Sequence, residues 1–236
     1  MSNEILIQIA LFYGVLLISL VVHEASHAVV ALWGGDPTAY HGGQVTLNPA
    51  PHIRREPFGT VILPLVMLVM SKGSWCMGYA HAPVDPAWAA RHPLRAALMS
   101  AAGPISNILL AALAFLILKS LLWAELADPF MRSSGGVAGF YAVEPIDPTD
   151  GLTVAAIRIA SAMLLLNVVL AILNLIPLPP LDGAGIVEGL FPRTLGRVFG
   201  AFRSQPFLMP IVMIIVLFRV LPSLYRPVLS TVLGWI

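Results

Sequence analysis

The chain has 236 residues, 58% hydrophobic and only 11% charged, with a mean hydropathy of +0.87. An ordinary soluble domain carries roughly 25% charged residues, so the composition is that of an integral membrane protein. A formal net charge of +1 supplies neither the basic field that attracts nucleic acid nor an acidic tail for basic partners, and the single cysteine, Cys76, excludes an internal disulfide.

In chain order, the first apolar segment runs from about residue 5 to 32. "MSNEILIQIA" lacks a basic n-region and no small-residue cleavage site follows, so this segment is expected to stay as a membrane helix. Next, residues 40–47 of "TAYHGGQVTLNP" have the β-branched and aromatic content of a short strand, with Gly42 and Gly43 as a bend. "PFGTVILPLVMLVM" is marginal for a span, which needs about 20 apolar residues, and could equally be a re-entrant element. Apolar runs follow at about 94–123 and 152–176, separated by a polar, Gly- and Pro-containing loop that carries Arg132. The last run, about 207–236, is interrupted by Arg219, Pro222 and Arg226 and reads as one kinked helix or two short ones. The expected architecture is an all-α polytopic bundle of about four to six transmembrane segments, with a short membrane-associated β element after the first helix. Residues 1–236 form one domain, with a core over about 5–190 and a terminal membrane portion over about 204–236.

The polar residues inside the first segment carry the chemistry. In "VVHEASHAVV", His23 and His27 stand four apart, so on a helix both imidazoles face one ion, and Glu24 lies beside them. This H-E-x-x-H spacing binds zinc and holds a general base next to a zinc-bound water. An uncompensated charge near the bilayer centre costs about 2.5 to more than 10 kcal/mol, which disfavours an idle cluster there. A tetrahedral catalytic zinc needs a third protein ligand. The candidate is Asp182 in "LNLIPLPPLDG", where Pro177, Pro179 and Pro180 stop a long helix and Gly183 permits a sharp turn. The same aspartate could instead N-cap the helix "GAGIVEGLF".

Together, the H-E-x-x-H in the first membrane helix and the N-x-x-P-x-P-x-L-D-G pattern of Asn174, Pro177, Pro179, Leu181, Asp182 and Gly183 resemble the site-2 protease family of intramembrane zinc metalloproteases. "AAGPISN", with Gly103, Pro104 and Asn107, and "LNPAPHIRREPFGT" resemble further stretches of its compact prokaryotic members, without a PDZ insertion or appended regulatory domain. The resemblance implies a zinc ion on His23, His27 and Asp182, Glu24 as base, and a transmembrane segment of another protein as substrate. It also implies a membrane-dipping β element near residues 40–47, which gives Tyr40, Gln44, Val45, Thr46 and Asn48 a part in substrate binding by strand addition. His52 joins them through the family-like N-P-x-x-H segment, with no assigned role, while His41, His81 and His92 read as interfacial or structural. Asn107 and Asn174 are either interhelical hydrogen-bonding amides, or donors to the oxyanion or supports of Asp182.

If His23, His27 and Asp182 share one ion, the first and third long helices run the same way, and residues 37–95 must contribute no net crossing, so "PFGTVILPLVMLVM" either dips in and returns or pairs with "WCMGYAHAPVDPAWAA" as a hairpin. Arg54, Arg55, Lys72, Arg91, Arg95, Arg193, Arg197 and Arg203 then fall on the active-site side, which the positive-inside rule makes cytoplasmic in a prokaryotic inner membrane. Trp33, Trp75, Trp88 and Trp123 are expected near the interfaces. The partners are the bilayer and a transmembrane protein substrate, with no nucleic acid, and a homo-oligomer is compatible with this. The alternative readings are a non-proteolytic zinc-binding membrane protein or metal transporter, and a membrane hydrolase acting on a non-peptide bond. A transporter would string its ligands across the bilayer, whereas these gather at one depth.

Overall fold

Three long helices position the site: α1 (Asn3–Trp33), α6 (Pro93–Trp123) and α7 (Gly151–Leu175). The computed structural model describes residues 3–74, 76–129, 142–205 and 208–236. All three helices are long and apolar enough to cross a membrane, as is the helical stretch Leu208–Leu233. Along α1 from His23 to His27, the partner on α6 shifts back from Asn107 to Met99, so the two helices are antiparallel. Ser19 of α1 meets Asn167 of α7, and one turn later His23 meets Asp182 beyond the end of α7, so α1 and α7 are parallel. This is the relation that a shared ion requires.

Between α1 and α6 lie α2 (Thr38–His41), α3 (Pro49–Arg55), a π-helical turn Phe58–Ile62, α4 (Leu63–Met70) and α5 (Pro86–Arg91). The π turn and α4 carry the chain about 20 Å away from α3, at 1.5 Å per residue. An irregular segment then brings it back, since the Tyr79 amide donates to Gly59 O and Arg55 Nε donates to His81 O. The excursion starts and ends at one level, as the expected absence of a net crossing demands. Lys72 therefore rides at its far tip and not with Arg54 and Arg55, which corrects the charge assignment made from sequence. Leu68 and Cys76, on the outgoing and returning arms, are buried with Phe12, Leu16 and Leu20 of α1.

Residues 40–47 are not a strand. Asp36 Oδ1 accepts from the Thr38 amide and hydroxyl, which starts the one-turn helix α2, and Gly43 then turns at φ +71°. Asn48 caps α3 by accepting from the Ala50 amide, with Pro49 as first helical residue. The strands among the described residues are β1 (Ala127–Pro129) and β2 (Val143–Pro145), an antiparallel pair with Asp128 opposite Glu144. They follow α6, at the end of the bundle away from the histidines.

Past α7 come α8 (Asp182–Leu190), α9 (Pro192–Arg203), α10 (Leu208–Ile215), a π-helical turn Val216–Val220 and α11 (Leu221–Leu233). The terminal segment is thus continuous helix with a widened turn. Both π turns sit immediately before a proline at the second position of the next helix, Pro64 and Pro222. A proline ring clashes with the carbonyl four residues back and lacks an amide, and the wider turn relieves both defects. Trp33 and Trp123 are exposed at helix ends, but Trp88 is buried, its Nε1 donating to Gly34 O. Trp75 and Arg132 lie outside the described residues.

Candidate metal centre

His23, Glu24 and His27 are all buried on α1, and the two histidines reach residues of α6. The rings of His23 and His27 stand at 82° to each other, and their Nε2 atoms are 3.0 Å apart. Asp182 completes the group, with Oδ2 at 3.0 Å from His23 Nε2 and Oδ1 at 3.3 Å from His27 Nε2. One ligand atom from each of the three residues lies within 4.8 Å of the others. Asp182 is the first residue of α8, whose N-cap position belongs to Leu181. Its carboxylate faces the histidines, so the capping role considered from sequence does not hold. The proline run ends α7 at Leu175, and Gly183 allows the tight return, because a Cβ there would collide with Leu175 O and Ile176 O.

The protons around this cluster are assigned by its outer contacts. His27 Nδ1 is 2.6 Å from Met99 O, a carbonyl that can only accept, so Nδ1 carries the proton. For His23 the assignment runs through a chain of amides. Asn167 Nδ2 faces Met163 O and Ser19 Oγ, which turns Asn167 Oδ1 toward Asn107 Nδ2 at 2.8 Å. Asn107 Oδ1 therefore points at His23 Nδ1, 2.6 Å away, and accepts its proton. In the neutral rings both Nε2 atoms then present lone pairs, at close range, to each other and to a carboxylate. A cation placed between them would relieve that crowding of acceptors, and two imidazoles with a carboxylate are a zinc donor set. The residues fit a zinc ion.

The polar chain through Ser19, Asn107 and Asn167 links α1, α6 and α7, and all three side chains are fully buried. Ser19 and Asn167 escaped the sequence reading, because their pairing joins residues 148 positions apart and leaves no local periodicity. Asn107 supports His23 and not Asp182, and it is sealed from the cavity, which removes it as an oxyanion donor. Asn174 does line the cavity, with Nδ2 donating to Leu170 O.

Glu24 Oε2 is buried without a hydrogen-bond partner, and the residue lines a cavity of about 470 Å3 together with His23, His27 and Asp182. The remaining walls are mostly apolar: Leu20 and Leu63, the returning segment 77–82, Leu170 and Leu173, and Met213 and Leu217 from the terminal helical stretch. None of Tyr40, Gln44, Val45, Thr46, Asn48 or His52 lines it. They fold into the α2–α3 elbow, where His52 Nε2 donates to Thr46 O and Asn48 acts as a cap. The irregular segment that borders the cavity is residues 77–82, to which the sequence reading gave no part in substrate binding.

The sequence profile described as "Peptidase family M50" matches residues 11–219. This chain belongs to peptidase family M50. As a member of that family it is a zinc metalloprotease and an integral membrane protein, in keeping with the site-2 protease resemblance. Among curated M50-type relatives, the "Putative zinc metalloprotease YwhC" of Bacillus subtilis (strain 168) is 32% identical over 200 residues, covering 85% of this chain and 78% of its own. The "Putative zinc metalloprotease Rip2" of Mycolicibacterium smegmatis (strain ATCC 700084 / mc(2)155) is 26% identical over 199 residues. That match covers 84% of this chain and 64% of the relative, so about a third of the mycobacterial protein lies outside the match. No solved structure gives a significant match.

Proposed function

We propose that this M50 protease is an intramembrane endopeptidase, cleaving transmembrane segments of other membrane proteins in regulated intramembrane proteolysis. One zinc ion would be held by Nε2 of His23, Nε2 of His27 and the carboxylate of Asp182, with Glu24 as general base. The observation that carries the reading is the convergence of three ligand atoms, from His23, His27 and Asp182, beside the unpartnered Glu24 Oε2, at the wall of an apolar cavity. When bound, zinc lowers the pKa of water toward neutrality and polarises a peptide carbonyl. Glu24 Oε2, free of other hydrogen bonds, takes a proton from the attacking water and returns it to the leaving amine.

A transmembrane helix hides its peptide bonds in its own hydrogen bonds and must unwind to be cut. The apolar walls suit such a segment, and the backbone of residues 77–82 offers an edge for it to pair with. Arg54, Arg55, Arg91, Arg193, Arg197 and Arg203 lie in the connections at the histidine end of the long helices, and Arg95 in the first turn of α6 at that same end, which favours a cytoplasmic active site in a prokaryotic inner membrane.

The test is cleavage of a panel of membrane-spanning peptides by the purified protein, wild type against Glu24→Gln, with zinc quantified in both. The expected result is zinc in both and cleavage by the wild type alone. Zinc in both with equal cleavage would remove Glu24 as the base, and no zinc in either would overturn the metal assignment.

A further inference from the structure

The helix α9 has no role in the site, yet its sequence, "PRTLGRVFGAFR", is sharply divided. Leu195, Val198, Phe199 and Phe202 recur at the three- and four-residue spacing of one helical face. Arg193 and Arg197, four apart, stand on the opposite face together with Gly200. No residue of α9 is buried, and Val198 is 55% exposed. Position settles which surroundings such a helix meets. It follows α7, a membrane-crossing helix, by way of α8, and it precedes the membrane-crossing stretch Leu208–Leu233. A short helix between the ends of two spans lies at the bilayer surface, and one with apolar and cationic faces lies flat in it.

We infer that α9 is an interfacial helix that inserts Leu195, Val198, Phe199 and Phe202 among the acyl-chain ends and holds Arg193 and Arg197 in the field of an anionic lipid leaflet. The partner is the lipid surface, because the apolar face, with Val198 exposed and Leu195, Phe199 and Phe202 half-buried, lies at bilayer depth and the exposed charge on the helix is cationic. Arg203 supports this orientation from the side: its Nη2 donates to both carboxylate oxygens of Glu188, at 2.8 Å each, and ties α9 against α8. With Arg203 engaged, Arg193 and Arg197 are the side chains left to meet headgroups. Each arginine near an anionic surface is worth about fivefold in the membrane-docked population. Asp182 begins α8, so the helix docked at the surface is braced against the one that carries the third metal-facing residue.

The test uses the full-length protein in a Cys76→Ala background, reconstituted into vesicles of phosphatidylcholine alone or with phosphatidylglycerol. A fluorophore is attached at Val198→Cys or at Gly200→Cys, where nothing lies within 4 Å of an added Cβ. The expected result is quenching of the position-198 label by lipids spin-labelled near the headgroup, and quenching of the position-200 label by aqueous iodide. Quenching at 198 should rise with phosphatidylglycerol, lose that rise at about 1 M salt, where the Debye length is near 3 Å, and lose it also in Arg193→Gln/Arg197→Gln. A position-198 label reached by iodide, or shielded from iodide and lipid alike by protein, overturns the interfacial placement. Lipid quenching indifferent to phosphatidylglycerol overturns the anionic partner.

Discussion

Asn107 Oδ1 accepts from His23 Nδ1 at 2.6 Å, and this contact decides which ring nitrogen of His23 faces Asp182. Asn107→Leu removes the acceptor and frees the ring to rotate or change tautomer. Loss of such an outer partner typically costs 10–100-fold in metal affinity. Zinc affinity of the variant, read by competition with a chelator, should fall by about that factor. Asn167→Leu should weaken it less, because it acts on His23 only by orienting Asn107.

Gly103 of α6 packs against the two histidines so closely that a Cβ would collide with the Nε2 atoms of both. Gly103→Ala favours the helix by about 1 kcal/mol in intrinsic propensity. It should nevertheless reduce zinc affinity by more than the about 100-fold expected for losing an outer partner. Unchanged helicity by circular dichroism with lost zinc separates this from misfolding. Normal zinc binding would mean that α6 does not approach α1 as closely as the structure has it.

Ala80 lies on the returning segment at the cavity wall, away from the metal-facing residues. Ala80→Phe fills part of that space, and kcat/KM for a transmembrane peptide should drop by about 10- to 100-fold while zinc content stays at the wild-type level. The equivalent enlargement at Tyr40 of the exposed α2, Tyr40→Trp, should leave both unchanged.

Asp36 ties the end of α1 to the start of α5, accepting from the Thr38 amide, the Thr38 hydroxyl and the Asp85 amide. Burial pushes its carboxyl up, but these hydrogen bonds to the ionised form outweigh burial and hold it below the usual carboxylate range. A carboxyl depressed in the folded state contributes stability that is complete above its unfolded value, about 3.9, and is lost as pH falls through the folded value. Asp36→Ala should therefore lower the unfolding free energy by about 1–3 kcal/mol at neutral pH. In thermal denaturation in detergent, the gap between wild type and variant should narrow below about pH 4.

The parts of this protein that local spacing controls were legible in its sequence. Apolar length marked the membrane helices, the four-residue interval put His23 and His27 on one face, and the prolines after Asn174 ended α7 just before Asp182. Even the missed elbow was written there: Asp36 two residues before Thr38 and Asn48 before Pro49 are turn and cap signals, and local hydrogen bonds outweighed the weaker strand preference of residues 40–47.

The remainder depends on residues that only packing brings together. Ser19, Asn107 and Asn167 share no period, and each is an ordinary polar residue on its own helix. In a fully buried space every donor must find an acceptor, so the close packing of three helices selected their pairing and, through it, the protonation of His23. Tertiary structure likewise returned residues 77–82 to the cavity, because Gly59 and Tyr79 meet across an excursion whose ends local sequence does not relate. Sequence placed the reactive groups on their helices, and packing of the helices set the distances and protons through which those groups can hold an ion.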